Sequence, residues 1–106
     1  MKKQMVVVRL DDATLVWLSG TIGGSLAPPL HEALYGLIAG QTRPLVLDLT
    51  EVFAIDEGAI SVLAAASMQA GGRGGIEFRL PHGGRCLVKD AATLRHAISS
   101  AYPAAA

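Results

Sequence analysis

Short β-branched runs alternate along this chain with stretches whose apolar residues recur every three or four positions, and that alternation sets the expected order of elements. Val6-Val7-Val8-Arg9-Leu10 and Thr14-Leu15-Val16-Trp17-Leu18 are strand-like, and Asp11-Asp12-Ala13 between them is turn chemistry of hairpin length. They predict two antiparallel strands. Gly20 to Gly24 breaks the pattern. Pro28-Pro29 then suits a first helical turn, where a missing amide hydrogen costs least. Leu30, Ala33, Leu34, Leu37 and Ile38 follow at helical spacing until Gly40.

Leu45-Val46-Leu47-Asp48-Leu49 is almost unbroken in its apolarity, as expected of a central strand covered on both faces. The period changes at Asp56, a natural N-cap. Ile60, Leu63, Ala64, Ser67 and Met68 share the face expected to meet the sheet, and Gly71-Gly72 closes the element. Gly75 to Leu80 alternates like an edge strand, Pro81 to Gly84 is a turn, and Arg85 to Ala101 reads as two short helices split near Asp90. The tail, Ala104 to Ala106, is expected to fray. The fold class is therefore α/β, a mixed sheet of about four strands with about four helices in the order ββαβαβαα. Its strand–helix–strand units are right-handed parallel crossovers, and its hairpin strand lies at one side. At 106 residues the chain is expected to be one domain, 1–106, with an ordered part of about 5–101.

Composition narrows the function classes. Hydrophobic residues at 51% against 17% charged exclude a disordered, highly charged chain. Nine basic residues balance nine acidic ones without a basic cluster, so nucleic acid is not expected as a partner. Cys86 is the single cysteine; it can close no internal disulfide and lacks companions for a thiolate metal site, which fits a cytoplasmic setting. Arg9 cuts the first apolar run too short for a secretion signal, and glycines and prolines interrupt the uncharged stretch from Ala13 to His31. No direct membrane insertion is expected.

Candidate chemistry is sparse. Gly71-Gly72-Arg73-Gly74-Gly75 has glycines but no Lys-Ser/Thr, and it leads into a strand rather than a helix, so it reads as a connection. His82 and Cys86 have no further ligands at a regular spacing, and His82-Gly83-Gly84 has no nucleophile elbow to serve. Neither a metal, nor a cofactor, nor a catalytic residue is assigned. Asp48, Glu51, Asp56 and Glu57 bracket the junction of the central strand and the second helix. Asp56 and Glu57 read as a helix N-cap and a first-turn acid, with a small-ligand site as the rival reading of the Asp48/Asp56/Glu57 cluster.

The segment Arg43 to Leu63, with Asp48-Leu49 ending an apolar strand and Ile55-Asp56-Glu57-Gly58-Ala59-Ile60-Ser61-Val62-Leu63 after a short link, resembles the signature of STAS domains, the anti-sigma factor antagonist family. Ser19-Gly20-Thr21-Ile22 and Leu26 to Leu34 look like the family's upstream segment. The resemblance implies a non-catalytic bacterial module of transcription regulation and signal transduction. Its protein partner would be an anti-sigma factor or serine kinase, met through the N-terminal turn of the second helix. On this chain that surface is Asp56, Glu57, Gly58, Ala59 and Ile60, with Phe53, Gly23 and Gly24 beside it. Phe53 can be an exposed anchor or a lid over the core, and the general burial of aromatics favours the lid.

Three positions depart from the family pattern. Glu57 stands where the family carries its phosphorylated serine, Ala59 where it has glycine, and Gly23 where it has the first-loop aspartate. A carboxylate cannot be phosphorylated, and it carries one negative charge where phosphoserine carries about 1.5 to 2. Glu57 thus implies either a permanent, weaker copy of the modified state or a partner that ignores the switch. Ser61, one turn further on, is a substitute phosphosite of lower rank. The resemblance also admits a non-phosphorylated adaptor in a chemotaxis array or a lipid-transport ATPase complex.

Overall fold

The computed structural model describes residues 4–40 and 43–103. In chain order it forms β1 (Met5–Arg9), β2 (Thr14–Ile22), α1 (Ala27–Ala39), β3 (Leu45–Ile55), α2 (Glu57–Ala70), β4 (Ile76–Arg79), β5 (Arg85–Val88) and α3 (Ala91–Ala101). Single 3-10 turns at Gly71–Arg73 and Pro81–Gly83 join α2 to β4 and β4 to β5. The expected α/β mixed sheet is present, with five strands and three α-helices. The strands lie in the order β1-β2-β3-β4-β5, with β1–β2 and β4–β5 antiparallel and β2–β3 and β3–β4 parallel.

Two elements differ from their sequence reading for one reason. Arg85 to Val88 is a strand, so the segment 85–101 holds one helix rather than two, and β4 is an interior strand rather than an edge. Four residues are too few to separate strand from helix by periodicity, and the hairpin with β4 decides the outcome. β2 also runs on through Gly20, whose φ of +79° a glycine adopts without strain, and beside it β3 carries an extra residue where the register shifts. The Ala104–Ala106 tail lies outside the described residues.

All three helices pack on one face of the sheet, with α2 between α1 and α3. Leu30, Leu34 and Ile38 of α1, Leu63 of α2, and Leu94 and Ile98 of α3 are buried against Val16, Leu18, Leu47, Leu49, Ile76 and Phe78. Among the described residues, the opposite face carries no helix. β3 is central as expected, but it is covered on one face only. Val46 is buried on the bare side because Leu15 and Glu77 flank it on the adjacent strands. The inward set of α2 also shifts: Ser67 is buried and its hydroxyl donates to the Leu63 carbonyl at 2.8 Å, whereas Met68, expected to face the sheet, is 63% exposed. At 100° per residue, adjacent positions 67 and 68 cannot both lie at the centre of one stripe, and Ala64, Ser67 and Ala70 take the close approach.

Candidate functional site

The turn that opens α2 is built by Asp56. Its backbone is extended, its carbonyl accepts the first helical hydrogen bond from Ile60 N at 2.9 Å, and its Oδ1 accepts from Ala59 N at 3.0 Å. This is the expected N-cap. The second carboxylate oxygen has a further role. Oδ2 accepts from Gly24 N at 2.9 Å, so one carboxylate clamps the loop after β2 to the start of α2. The clamp works at close quarters, and the backbone there has little room for side chains. A Cβ on Gly58 would lie 3.4 Å from the Cα of Gly24, and one on Gly23 would lie 3.3 Å from Asp56 Oδ2.

Glu57 follows in the first helical turn, where the helix dipole favours its charge. Its carboxylate is exposed and faces Arg95 of α3, whose Nη1 donates to Oε1 at 2.9 Å and to Oε2 at 3.1 Å. Ser61 lies on the same helix face, its hydroxyl 3.5 Å from Glu57 Oε1. Arg95 escaped the sequence reading because it stands 38 residues away on another helix, a separation that no helical or strand spacing connects. A basic residue in the first half of an amphipathic helix was the only signal available.

The remaining predicted site residues divide. Asp56, Glu57, Gly58 and Gly24 are exposed around one turn, with Gly23 half-buried beside them, while Ala59 and Ile60 are buried and contribute to the core beneath it. Phe53, expected as a lid over the core, is 80% exposed. The register of β3 against β2 shifts twice between Asp48 and Ala54, and over this segment the inward residues become Leu49, Val52 and Ile55, three apart instead of two. The bulges turn Phe53 outward. It lines a shallow groove of about 680 Å³ on the bare face of the sheet with Gln4, Val6, Trp17, Ser19, Gly20 and Glu51. The bulged stretch is fastened from behind by Tyr102, whose buried hydroxyl donates into the carbonyls of Leu49 and Val52 at 3.2 and 3.1 Å. Burial pushes the Tyr102 hydroxyl up to about 12.

The four carboxylates that bracket the junction are not one cluster. Asp48 accepts from its neighbour Thr50, at 2.9 Å from the amide and 2.6 Å from the hydroxyl, Glu51 faces the groove, Asp56 caps and Glu57 pairs with Arg95. Among the described residues, no group of three or more His, Cys, Asp or Glu side chains is arranged to hold a metal ion.

Comparison with known proteins bears on the family and the fold. The family model described as Mlab, STAS domain, matches residues 5–82. Among solved structures, the chain is similar to an anti-sigma factor antagonist from Mycobacterium paratuberculosis at 31% identity and a TM-score of 0.54, over 58% of this chain and 53% of that one. It is similar to Mglu at 28% identity and a TM-score of 0.63, over 73% of this chain and 19% of that one. An antisigma-factor antagonist STAS domain from Rhodobacter sphaeroides shares the fold, at 14% identity and a TM-score of 0.55 over 73% of this chain and 83% of that one. The chain thus spans about a fifth of Mglu and about half of the Mycobacterium protein. No curated protein matches it.

Proposed function

The chain belongs to the STAS domain family, and from that membership we propose that it is a non-catalytic regulatory module of the anti-sigma factor antagonist kind, which meets a protein partner through the exposed turn at the start of α2. The observation that carries this reading is the clamp at Asp56. It ties the Gly23–Gly24 loop to the start of α2, beside Glu57 and Gly58, and the resemblance puts the family's partner surface at this turn. Anti-sigma factors and serine kinases are the partner class that follows from the resemblance. The reading has the module act in the cytoplasm, consistent with one free cysteine. No helix among the described residues is long and apolar enough to cross a membrane.

A second reading keeps the module and changes the partner to an adaptor's, in a chemotaxis or lipid-transport ATPase complex. The pairing of Glu57 with Arg95 favours it, because a carboxylate held by its own chain is a constant feature of the surface rather than a switchable one. Ser61 stays a substitute phosphosite of lower rank under either reading.

One titration tests both. The partner is purified with the tagged protein, and wild type and Glu57→Ser are titrated against it at two salt concentrations. Under the first reading Glu57→Ser tightens the complex by about 1–3 kcal/mol and becomes a kinase substrate. Under the adaptor reading it weakens the complex and flattens its salt dependence. Equal affinities in all four titrations would place residue 57 outside the interface.

A further inference from the structure

We propose that the groove at Phe53 is a second docking surface, which takes an arginine of a partner protein between Trp17 and Phe53 with its guanidinium on Glu51. The hollow follows from the pattern of the sheet. On the bare face Trp17 and Ser19 are successive outward residues of β2, and Gly20 comes next, so two small residues form a floor beside a large one. Glu51, opposite Ser19 on β3, and Phe53 rise on one side of that floor. Gln4 closes the other side: its Nε2 donates to the Thr21 carbonyl at 2.9 Å, and a Cβ on Gly20 would lie 3.4 Å from that nitrogen.

The rim is held in place by the fold. β3 passes through two register shifts before Ala54, and the Tyr102 hydroxyl, at the end of α3, binds the Leu49 and Val52 carbonyls of the stretch that presents Glu51 and Phe53. Bulges of this kind re-aim side chains beside functional surfaces. At 80%, Phe53 is also the most exposed large apolar side chain among the described residues, and a ring that a fastened backbone turns into solvent is placed to meet another molecule.

The chemistry of the rim selects a cation. Glu51 is the one charged residue among the described residues that line the groove, and among the described residues it takes part in no ion pair. Asp48, opposite Trp17, adds a second negative charge at the margin, while Arg79, opposite Asp48, is paired with Glu77 at 3.6 Å. Aromatic faces attract cations, and guanidinium is the cation that both stacks on a ring and forks onto a carboxylate. Sites for free small ligands enclose most of the ligand, whereas this groove is shallow and one of its rings stands in solvent, so the arginine is one delivered by a protein surface. Val6 and Val8, exposed on the same face across from Trp17 and Leu15, give apolar ground for the residues that flank it. The surface is separate from the turn at Asp56, so its failure would leave the reading of that turn intact.

Trp17 is the single tryptophan of the chain, so its fluorescence reads the groove. The probe is the capped peptide Ac-Ala-Val-Arg-Val-Ala-NH2, titrated at low salt to about 10 mM, the range of weak association. A saturable change in Trp17 emission is expected, with affinity about fivefold lower when uncharged citrulline replaces the arginine. Phe53→Ala should weaken the peptide by a similar factor, and Glu51→Gln should weaken it and flatten its salt dependence. Both side chains are exposed, so both variants should stay folded by circular dichroism, and Met68→Ala on α2 should bind as wild type does. The proposal is overturned by the lack of a saturable response, by equal affinity for the citrulline peptide, or by undiminished binding to folded Phe53→Ala. If Phe53→Ala does not fold, a Glu51→Gln variant that keeps the full affinity and salt dependence overturns it. Three other occupants would also overturn it: a free cation, if methylguanidinium binds as tightly as the peptide; a second copy, if emission shifts with protein concentration alone; and the chain's own first residues, if the response emerges only in Lys2→Ser with Lys3→Ser.

Discussion

Nη1 of Arg95 sits between the two carboxylate oxygens of Glu57, at 2.9 and 3.1 Å, and ties α3 to the first turn of α2 across the protein surface. Both side chains are substantially exposed, so solvent and salt weaken the attraction. A double-mutant cycle of Glu57→Gln and Arg95→Gln, read by urea unfolding, should give a coupling below about 1 kcal/mol that shrinks as salt rises. A coupling above 2 kcal/mol would mean that the pair is far better shielded than its exposure implies. The weak coupling has a practical consequence: variants at position 57 report on binding without a large change in folding.

Asp56 is the costlier residue of the turn. Asp56→Ala removes the acceptor of Ala59 N and that of Gly24 N together, and should destabilise the chain by about 1–3 kcal/mol. Asp56→Asn keeps one acceptor oxygen and should lose roughly half as much. Equal losses in the two variants would show that the one acceptor oxygen kept by Asn preserves neither hydrogen bond, and a loss confined to Asp56→Ala would show that only one of the two matters.

Tyr102 makes stability depend on pH at the alkaline end. Its hydroxyl is raised to about 12 by burial, above the ordinary value of 10.0, so the folded state keeps a proton that the unfolded state releases. The contribution is complete below pH 10 and is lost as pH rises towards 12. Subtracting the profile of Tyr102→Phe from that of wild type should isolate this slope. A difference that stays flat between those limits would show that the hydroxyl is not buried.

The phase of α2 is tested by two truncations. Leu63 is fully buried, so Leu63→Ala should cost about 2–5 kcal/mol. Met68 is exposed, and Met68→Ala should stay within about 0.5 kcal/mol. A reversed order of the two costs would rotate the helix by one residue.

Elements set by local chemistry were legible. The double proline places the start of α1, Asp56 the start of α2, and the hairpin spacing the β1–β2 pair. What could not be read depends on partners distant in sequence. Arg85 to Val88 becomes a strand because β4 pairs with it, and Phe53 turns outward because β3 carries extra residues relative to β2. At the candidate site the same division holds. Asp56 as a cap follows from its position before a helix, whereas its bond to Gly24 and the pairing of Glu57 with Arg95 span 32 and 38 residues.

The spatial order of the strands repeats their order in the chain. Each new strand therefore joins the sheet at its growing margin, beside the strand made just before it, and no finished ladder has to open to admit a later arrival. During synthesis, β1 and β2 can close as a hairpin while the rest is still unmade. β3 then docks on β2 once α1 has bridged the parallel connection, and β4 and β5 extend the same margin. The five strands can thus be added in chain order without undoing a step.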